Sequence, residues 1–378
     1  DDYARCHRRG GGGGYDYYRE VALELAGLEP NATIDRLERD DPFGIRAFDA
    51  ELERRELGLR RALDIDEVRQ LFPCPVNERR ITLPDARDGR KARDFREGKG
   101  GTFLFFQHLR KAGGTNFCTL AEMNLPKSAL PRYYCMPDMD WSGNKNAGYL
   151  HSWSNRDIVT RMEESGYRIA GNEWENFDVG RHFDLPAVFA TSFRKPLDRA
   201  LSQFRFECIE DRGCRIKDVH KWWDKRTDLW NVYTETFADG TTRQHLRGSF
   251  ANERRNLMAV AIDTLSKFNI VLSMEWLAYA GPQVRSILGF DNTSALTTRV
   301  RPHITQARRD DGQDRNNLGS ASIAKASWVP KEYLDAKQYK KMSEDLALDE
   351  VLTDVGRRMF LERLVCEDSG GSVLNNDE

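Results

Sequence analysis

The sequence predicts an α/β fold with a mainly parallel central sheet flanked by helices. Short apolar segments of strand length alternate with helical segments, which is the order that builds parallel sheets. Polar clusters follow directly on three of these strands, at Lys111–Asn116, at Gly171–Glu175 and from Arg194 onward. Because ligands of parallel sheets bind beyond the carboxyl ends of the strands, we expect the clusters to mark a binding site.

Composition restricts the class of function. The 378 residues are 39% hydrophobic and 31% charged, which is typical of a soluble globular protein with one large domain and an appendage, or with two domains. The formal net charge of −2 argues against nucleic acid as a partner, so any anion site must be local. No apolar run approaches the roughly 18 residues of a membrane span, and the start at Asp1 is compatible with a removed N-terminal anchor.

The first 95 residues differ from the remainder, and we interpret them as a helical or irregular N-terminal extension. Gly10–Gly14 is a flexible glycine run, whereas Tyr15–Leu28 and Phe48–Leu71 have helical periodicity. Asp85–Gly101 is almost wholly charged or small, which indicates a linker or an exposed loop. No catalytic motif is visible in this region.

The most informative stretch is Phe103–Leu120, with the sequence FLFFQHLRKAGGTNFCTL. It reads as a buried strand, a cationic glycine turn and the start of a helix that reaches Met123. Unsatisfied N–H groups and the helix dipole make a helix N-terminus favourable for anions, and glycines let phosphate oxygens approach the backbone. An ATP-type loop, GxxxxGKS/T, has its lysine after the glycines, whereas Lys111 precedes them. The alternative is a surface turn with incidental basic residues.

The remaining elements continue the alternation of strands and helices. The predicted strands and helices after this stretch are a helix at Asp157–Ser165, strands at Tyr167–Ala170 and Pro186–Ser192, helices at Leu197–Glu207 and Asn252–Lys267, a strand at Phe268–Met274, and helices at Trp276–Leu288 and Leu346–Val365. Pro126–Gly148 is expected to be irregular, and Thr297–Gly319 to be a basic loop. Two roles are open for the tryptophans Trp222, Trp223 and Trp230. They either fill a hydrophobic core, which we favour slightly, or stack on a sugar.

The cysteines do not decide the compartment. Seven are present, without a CxxC pair or a zinc-like histidine spacing, so we expect no metal site. Cys208 and Cys214 flank a short polar segment that can close as a disulfide, and separate reduced thiols are an equal alternative. The sequons at Asn31 and Asn292 fit a secretory route, although chance gives a similar number.

A second cluster complements the loop at Lys111. In TSFRKPLDRALSQF, which covers residues 191–204, Arg194 follows a strand, Pro196 suits a first helical turn and Ser202 lies along the helix. Two separated anion sites at one sheet edge would fit a nucleotide with phosphates on both its 5′ and 3′ sides.

These two motifs resemble the PAPS-dependent sulfotransferases, above all the Golgi carbohydrate branch with the uronosyl 2-O-sulfotransferases. QHLRKAGGTNF is similar to the family's 5′-phosphosulfate loop, usually FxHxPKTGGT, with Arg110 and Ala112 in place of proline and threonine. TSFRKPLDRALSQFRF is similar to its 3′-phosphate motif, RxPxxRxxSxY/F. FNIVLSMEWL, RPHITQ and LALDEVLTDVGRRMFLERL are similar to the late strand, late loop and final helix, so the resemblance covers about residues 100–367.

The resemblance implies a P-loop-like three-layer fold, with a sulfotransferase domain at residues 96–367 and a disordered tail at 368–378. It implies transfer of a sulfuryl group from PAPS (3′-phosphoadenylyl sulfate) to an acceptor hydroxyl, with PAP as product and no metal. Arg194 and Ser202 would hold the 3′-phosphate, and Lys111 would neutralise the 5′-phosphate and the charge that develops in transfer. The implied 5′-phosphate site comprises Arg110, Lys111, Ala112, Gly113, Gly114, Thr115 and Asn116.

The sequence differs from the family at the position of the general base. The 2-O-sulfotransferases have a histidine in a GHxxF-like segment, whereas this chain has Gly171-Asn-Glu-Trp-Glu-Asn-Phe. Glu173 is therefore the first candidate, His151 the second and Glu175 the third, each with a structural role as its alternative. His108 is expected to shape the phosphate loop.

The resemblance also suggests the acceptor and the location. A glycan or polysaccharide hydroxyl is the leading acceptor, to which the downstream arginines and tryptophans are suited, and a protein tyrosine or a small molecule is the alternative. The implied location is the Golgi lumen as a type II membrane protein, with the cytoplasm as alternative. A non-catalytic glycan-binding protein with the same fold is a further alternative, and a nucleotide kinase would need the GKS/T that is missing.

Overall fold

A computed structural model of the chain describes residues 14–76, 79–81, 89–142, 150–173, 175–210, 212–238, 250–297, 330 and 334–366. The glycine run up to residue 13, most of the basic stretch predicted at 297–319 and the tail at 368–378 therefore lie outside the described residues. Within the described part the fold is mostly helical, with one small parallel sheet, and it belongs to the α/β class. None of the helices in these ranges is long and apolar enough to cross a membrane.

The N-terminal region forms helices, as its periodicity predicts. They are α1 (Gly14–Gly27), α2 (Pro30–Asp40), α3 (Ile45–Leu59), α4 (Ile65–Leu71) and α5 (Gly89–Glu97). The single helix predicted over Phe48–Leu71 is wrong, because Arg60 takes a left-handed conformation and Asp64 starts α4 with a capping box to Glu67.

The predicted linker at Asp85–Gly101 is also wrong in its central part, which is helix α5. This charged helix buries Ala92 and Phe95, and its other residues are exposed or partly exposed. The ring of Phe95 lies 6.1 Å from that of Phe290, and Arg96 donates from Nη1 to the carbonyl of Ser286 at 2.8 Å. Two apolar residues one turn apart are enough to dock a helix whose other positions are polar.

Four parallel strands form the sheet, in the order β2-β1-β3-β4. They are β1 (Phe103–Gln107), β2 (Ile169–Asn172), β3 (Ala187–Phe193) and β4 (Ile270–Ser273). All four strands are buried throughout, as expected for a parallel sheet covered by helices. The order of the strands in the sheet differs from their order in the chain, because β1 pairs with β2 on one side and with β3 on the other.

Helices connect and cover these strands. The later helices are α6 (Gly114–Asn124), α7 (Pro137–Trp141), α8 (Asn155–Ser165), α9 (Pro196–Phe204), α10 (Val219–Trp223), α11 (Val232–Phe237), α12 (Ala251–Ser266), α13 (Gly281–Leu288), α14 (Ala336–Asp345) and α15 (Ala347–Val365). The helix predicted from Trp276 begins in α-form only at Gly281, after a 3-10 segment at Met274–Tyr279. Trp222 and Trp223 are buried in a second cluster with Leu197 and Phe204, so they plug a core.

The final helix, α15, confirms the helix predicted over Leu346–Val365 and is buried on all sides despite its many charged residues. It packs against β3, β4 and the N-terminal helices α1 to α4, whose apolar side chains belong to the same core as the sheet. The ring of Phe193 on β3 lies so close to Gly356 that an added Cβ would stand 3.0 Å from it. Glycine therefore sets the distance between this helix and the sheet.

Three disulfides are present within the described residues, and one of them connects distant segments. Cys208 pairs with Cys214, the first of the two alternatives left open by the sequence, with 5.1 Å between the Cα atoms. Cys118 also pairs with Cys135, and Cys74 with Cys366 at the end of α15. Cys6 lies outside the described residues.

The close contact at Gly356 gives the first prediction. Gly356→Leu should lower the free energy of unfolding by about 1–3 kcal/mol, because the new side chain enters a packed contact with Phe193 and Val271. Urea denaturation measures this change.

Gly58→Leu is the matched control, since an added Cβ there meets nothing within 4 Å on an exposed face of α3. Its stability should stay equal or rise slightly, because leucine is the better helix former. Equal stability of the two variants would contradict the packing role of Gly356.

Candidate anion-binding site

The loop between β1 and α6 has the geometry of a cradle for an anion. Lys111 and Gly113 have positive φ angles of 65° and 101°, which turn the chain so that Gly113 caps α6 without any side-chain cap. The first bond within the helix runs from the N–H of Phe117 to the carbonyl of Gly113, at 3.1 Å. The preceding N–H groups, of Gly114 to Asn116, have no acceptor within the helix and stand at its positive end.

Packing as well as conformation requires glycine in this loop. A Cβ at Gly113 would stand 2.9 Å from Sδ of Met274, besides the strain of its φ. A Cβ at Gly114 would overlap His108, with only 1.7 Å to Nε2. The His108 ring lies over the first residue of α6, so it shapes the loop as the sequence analysis expected.

The end of strand β3 and the residue after it supply two groups that hold this loop. Ser192 donates from Oγ to the carbonyl of Ala112 at 2.6 Å, and Arg194 donates from Nη1 to the carbonyl of Lys111 at 3.4 Å. The two sequence motifs, 83 residues apart along the chain, are therefore in direct contact. Nothing in the sequence pattern singled out Ser192, although a serine in an apolar strand is a weak signal of this kind.

Arg194 is fixed by its own surroundings. The hydroxyl of Tyr233 donates to its carbonyl at 3.0 Å and accepts from its N–H at 3.3 Å. Its Nε is buried and has no hydrogen-bond partner within the described part of the chain. Ser202 is buried two turns along α9, 7% exposed. A buried donor without an acceptor is costly, so an anionic ligand here would gain binding energy.

Lys111 has an aromatic neighbour that the sequence analysis missed. Its ammonium lies 4.2 Å from the ring centre of Phe206, a cation–π distance. Phe206 belongs to a π-helical segment, Arg205–Glu210, that continues α9. Segments of this kind are frequent at functional sites, but a single sequence carries no clear signal for one.

Charged groups surround the other side of the cradle. Arg110 lies 3.5 Å from Oε1 of Glu173 and 3.9 Å from Oε1 of Glu207, and Glu207 also pairs with Arg226. Nδ1 of His108 lies 3.6 Å from Oε2 of Glu173. Burial lowers the pKa of His108 more than Glu173 raises it, so the imidazole is neutral at pH 7. Arg110 thus faces carboxylates as well as the loop.

Buried amides hold the segment that carries Glu173. Gln107, the last residue of β1, donates from Nε2 to the carbonyls of Asn172 and Glu175, at 3.2 and 2.9 Å. The amide of Asn172 donates back to Oε1 of Gln107 at 3.0 Å. This network fixes the path of the chain after β2, and therefore the position of Glu173 beside the cradle.

The other predicted site residues have diverse surroundings. Thr115 lies in the first turn of α6, whereas the Asn116 side chain donates to the carbonyl of Ala295 at 3.0 Å and so serves the fold. Glu175 is 8% exposed. His151 lies in the 3-10 turn Leu150–Ser152, with its side chain outside the described part.

Comparison with known proteins gives no relative: no protein-family model, curated protein or solved structure matches this chain. No group of three or more histidine, cysteine or acidic side chains is arranged to hold a metal ion within the described ranges. The function must therefore be argued from the site itself.

The contact between His108 and Gly114 gives the second prediction. Gly114→Ala should lower the free energy of unfolding by about 1–3 kcal/mol, since the methyl group overlaps the buried imidazole. In a His108→Ala background the same change should cost much less, because the space is then free.

A double-mutant cycle in urea measures this coupling. Additive effects of the two substitutions would show that the imidazole does not rest on Gly114.

Proposed function

We propose that this protein is a PAPS-dependent sulfotransferase that acts on a hydroxyl group of a glycan or polysaccharide. The observation that carries the proposal is the contact between the two phosphate-binding motifs: Arg194 donates to the carbonyl of Lys111 within a glycine cradle. A nucleotide with both a 5′-phosphosulfate and a 3′-phosphate needs two such sites at a short separation.

The position of the motifs in the sheet supports the same proposal. Strands β1 and β3 are neighbours, and the chain leaves their carboxyl ends by loops that lead to different parts of the sheet. The crevice at such a switch point is where open α/β sheets bind nucleotides. We propose that the sheet and its helices form a P-loop-like three-layer domain over residues 96–367, with residues 1–95 as an N-terminal extension.

Different residues of the chain bind the two phosphates of the nucleotide. Backbone N–H groups at Gly113 to Asn116, with Arg110, Ala112 and the Thr115 hydroxyl, surround the 5′-phosphate. Arg194 and Ser202 bind the 3′-phosphate, and the unpartnered Nε of Arg194 provides a donor for it. Lys111 faces the oxygen that bridges phosphate and sulfate, while Phe206 restricts the motion of its ammonium group.

In the reaction, the acceptor oxygen attacks sulfur as the bond from sulfur to the 5′-phosphate oxygen breaks, and PAP leaves. Lys111 stabilises the charge that develops on that oxygen, and a general base takes the acceptor proton. Glu173 is the first candidate base, because it lies beside the cradle at the end of β2, with His151 and Glu175 next. The Arg110 contact keeps the Glu173 side chain oriented.

The disulfides support a secretory location, the Golgi lumen, because such bonds persist in oxidising compartments. A type II anchor that precedes the chain would fit this location.

A tyrosyl or small-molecule acceptor is the nearest alternative to a glycan acceptor. Transfer of labelled sulfate from PAPS to a panel of polysaccharides, proteins and small alcohols decides between them, and transfer to none would favour a non-catalytic glycan-binding protein.

Nucleotide selectivity provides the third prediction. The wild-type protein should bind PAP at least 10-fold more tightly than adenosine 5′-phosphate, and Arg194→Ala should abolish most of this preference. A hydrogen bond to a charged group contributes about 1.5–3 kcal/mol, or roughly 10- to 150-fold. Lys111→Ala should instead weaken both nucleotides, because both carry the 5′-phosphate.

Isothermal titration calorimetry measures the six affinities, those of three proteins for two nucleotides. If ATP binds as tightly as PAP, or if Arg194→Ala weakens both nucleotides equally, the assignment of the 3′-phosphate site is wrong.

The general base gives the fourth prediction. Glu173→Gln should reduce the rate of transfer by about 10²- to 10⁴-fold, because the amide keeps the size of the side chain but cannot take the acceptor proton. PAP affinity should stay within about 2-fold, since the amide oxygen can still accept from Arg110. His151→Ala, measured with the same acceptor, should have the smaller effect. Of the two, the residue whose loss barely changes the rate is excluded as the base.

A further inference from the structure

A second cavity lies between the N-terminal helices and the end of the chain, separate from the cradle at Lys111. Its volume is about 500 Å³, and it is bounded by α2, α3, α9, α14 and α15. Its lining combines charged and apolar side chains. The charged ones are Glu38, Arg46, Asp49, Glu53, Lys195, Asp198, Glu350, Asp354 and Arg357.

Carboxylates outnumber cations in this cavity by six to three. All three cations are already paired with lining carboxylates: Arg46 with Glu350 and Asp354 at 3.1 and 2.9 Å, and both Arg357 and Lys195 with Asp49. Because the basic groups are occupied in this way, the cavity is unsuited to an anion. Its excess charge is negative.

Two polar groups in the cavity wall, Asp198 and Thr353, have no hydrogen-bond partner in the described part of the chain. Asp198 has no hydrogen bond or ion pair in the described part of the chain, and the strongest charge effect on it comes from Arg194. Thr353 is only 1% exposed and lines the cavity, yet its Oγ1 has no hydrogen-bond partner within the described residues. A buried hydroxyl without a partner is costly and would accept a donor from a bound molecule.

Most of the remaining wall is apolar, including Ile34 and Leu197, and Tyr339 and Ser343 add hydroxyl groups. A wall that combines apolar and anionic surface matches a molecule with amine groups separated by methylene chains. A metal ion is a poor match, because the carboxylates do not converge on one point as a metal site requires.

We propose that this cavity binds an aliphatic polyamine. Its ammonium groups donate to Asp198, Glu350 and the Thr353 hydroxyl, and its methylene segments lie along Leu197 and Ile34. The exposed carboxylates of Glu38 and Glu53 attract the ligand to the entrance. This inference is independent of the sulfotransferase proposal.

The titration of two wall groups is consistent with such a ligand. Burial raises the pKa of Asp198 to about 6 and that of Glu350 to about 7. A bound ammonium group favours the ionised carboxylates, so binding should release protons and strengthen between pH 6 and pH 8. The titratable and charged groups that face these two are Glu38, Arg46, Asp49, Glu53, Arg194, Lys195, Glu275, Tyr339, Asp354 and Arg357.

The fifth prediction tests this site with spermidine and the intact chain by calorimetry at pH 8. Spermidine should bind, and Asp198→Asn and Glu350→Gln should each weaken it by about 10-fold or more, with a smaller loss in Thr353→Val. Glu164→Gln, an exposed site on α8, is the charge-matched control and should bind as the wild-type does. Magnesium and the uncharged 1,8-octanediol should bind far more weakly than spermidine.

Thermal denaturation verifies that each variant is folded. Titration of Glu350→Gln with PAP then tests whether this substitution also changes binding at the proposed nucleotide site. Loss of spermidine binding with unchanged PAP affinity supports a separate polyamine site. The proposal is overturned if spermidine does not bind, if all three cavity variants bind it as Glu164→Gln does, or if magnesium or the diol binds equally well.

Discussion

The burial of charged side chains on α15 is the constraint on which the rest of the structure depends. Asp354, Arg357, Arg358 and Glu362 are all nearly inaccessible, and a buried charge is tolerated only with a partner. Most of those partners lie in the N-terminal region: Arg46 pairs with Asp354, Asp49 with Arg357, and the carbonyl of Phe43 accepts from Arg358. Without the first 81 residues this helix would hold uncompensated charge.

The same helix reaches the candidate site through a short chain of contacts. Asp349 accepts hydrogen bonds from the N–H groups of Tyr233 and Thr234, at 3.0 and 2.8 Å. The Tyr233 hydroxyl in turn bonds to the backbone of Arg194, and Arg194 bonds to the loop at Lys111. The groups that we propose to bind phosphate are therefore positioned by the core, which would limit the reorganisation that nucleotide binding requires.

Local signals in the sequence were reliable where short-range chemistry decides the structure. The strand at Phe103, the glycine turn and the helix after Gly113 follow from apolar content and backbone freedom, and Gly166 ends α8 as predicted. Predictions failed where distant contacts override local composition. The charged segment 89–97 is a helix because Phe95 docks on Phe290, and α15 is buried despite its many charges. Phe206 and Ser192 also belong to the candidate site. Their contacts there join segments far apart in the chain, so the spacing of residues in the motifs does not predict them.

The sequence by itself determined the glycine loop after β1, with its cation ahead of two glycines, and it predicted Arg194 and Ser202 as a second anion site. Those features are local, since they depend on residues that are close along the chain. Only the tertiary structure decided that the two motifs meet, because the reversal of strand order at β1 makes β3 its neighbour. It also decided which charges face one another, namely Glu173 with Arg110 and Asp49 with Lys195, since such pairs depend on how segments far apart in sequence pack.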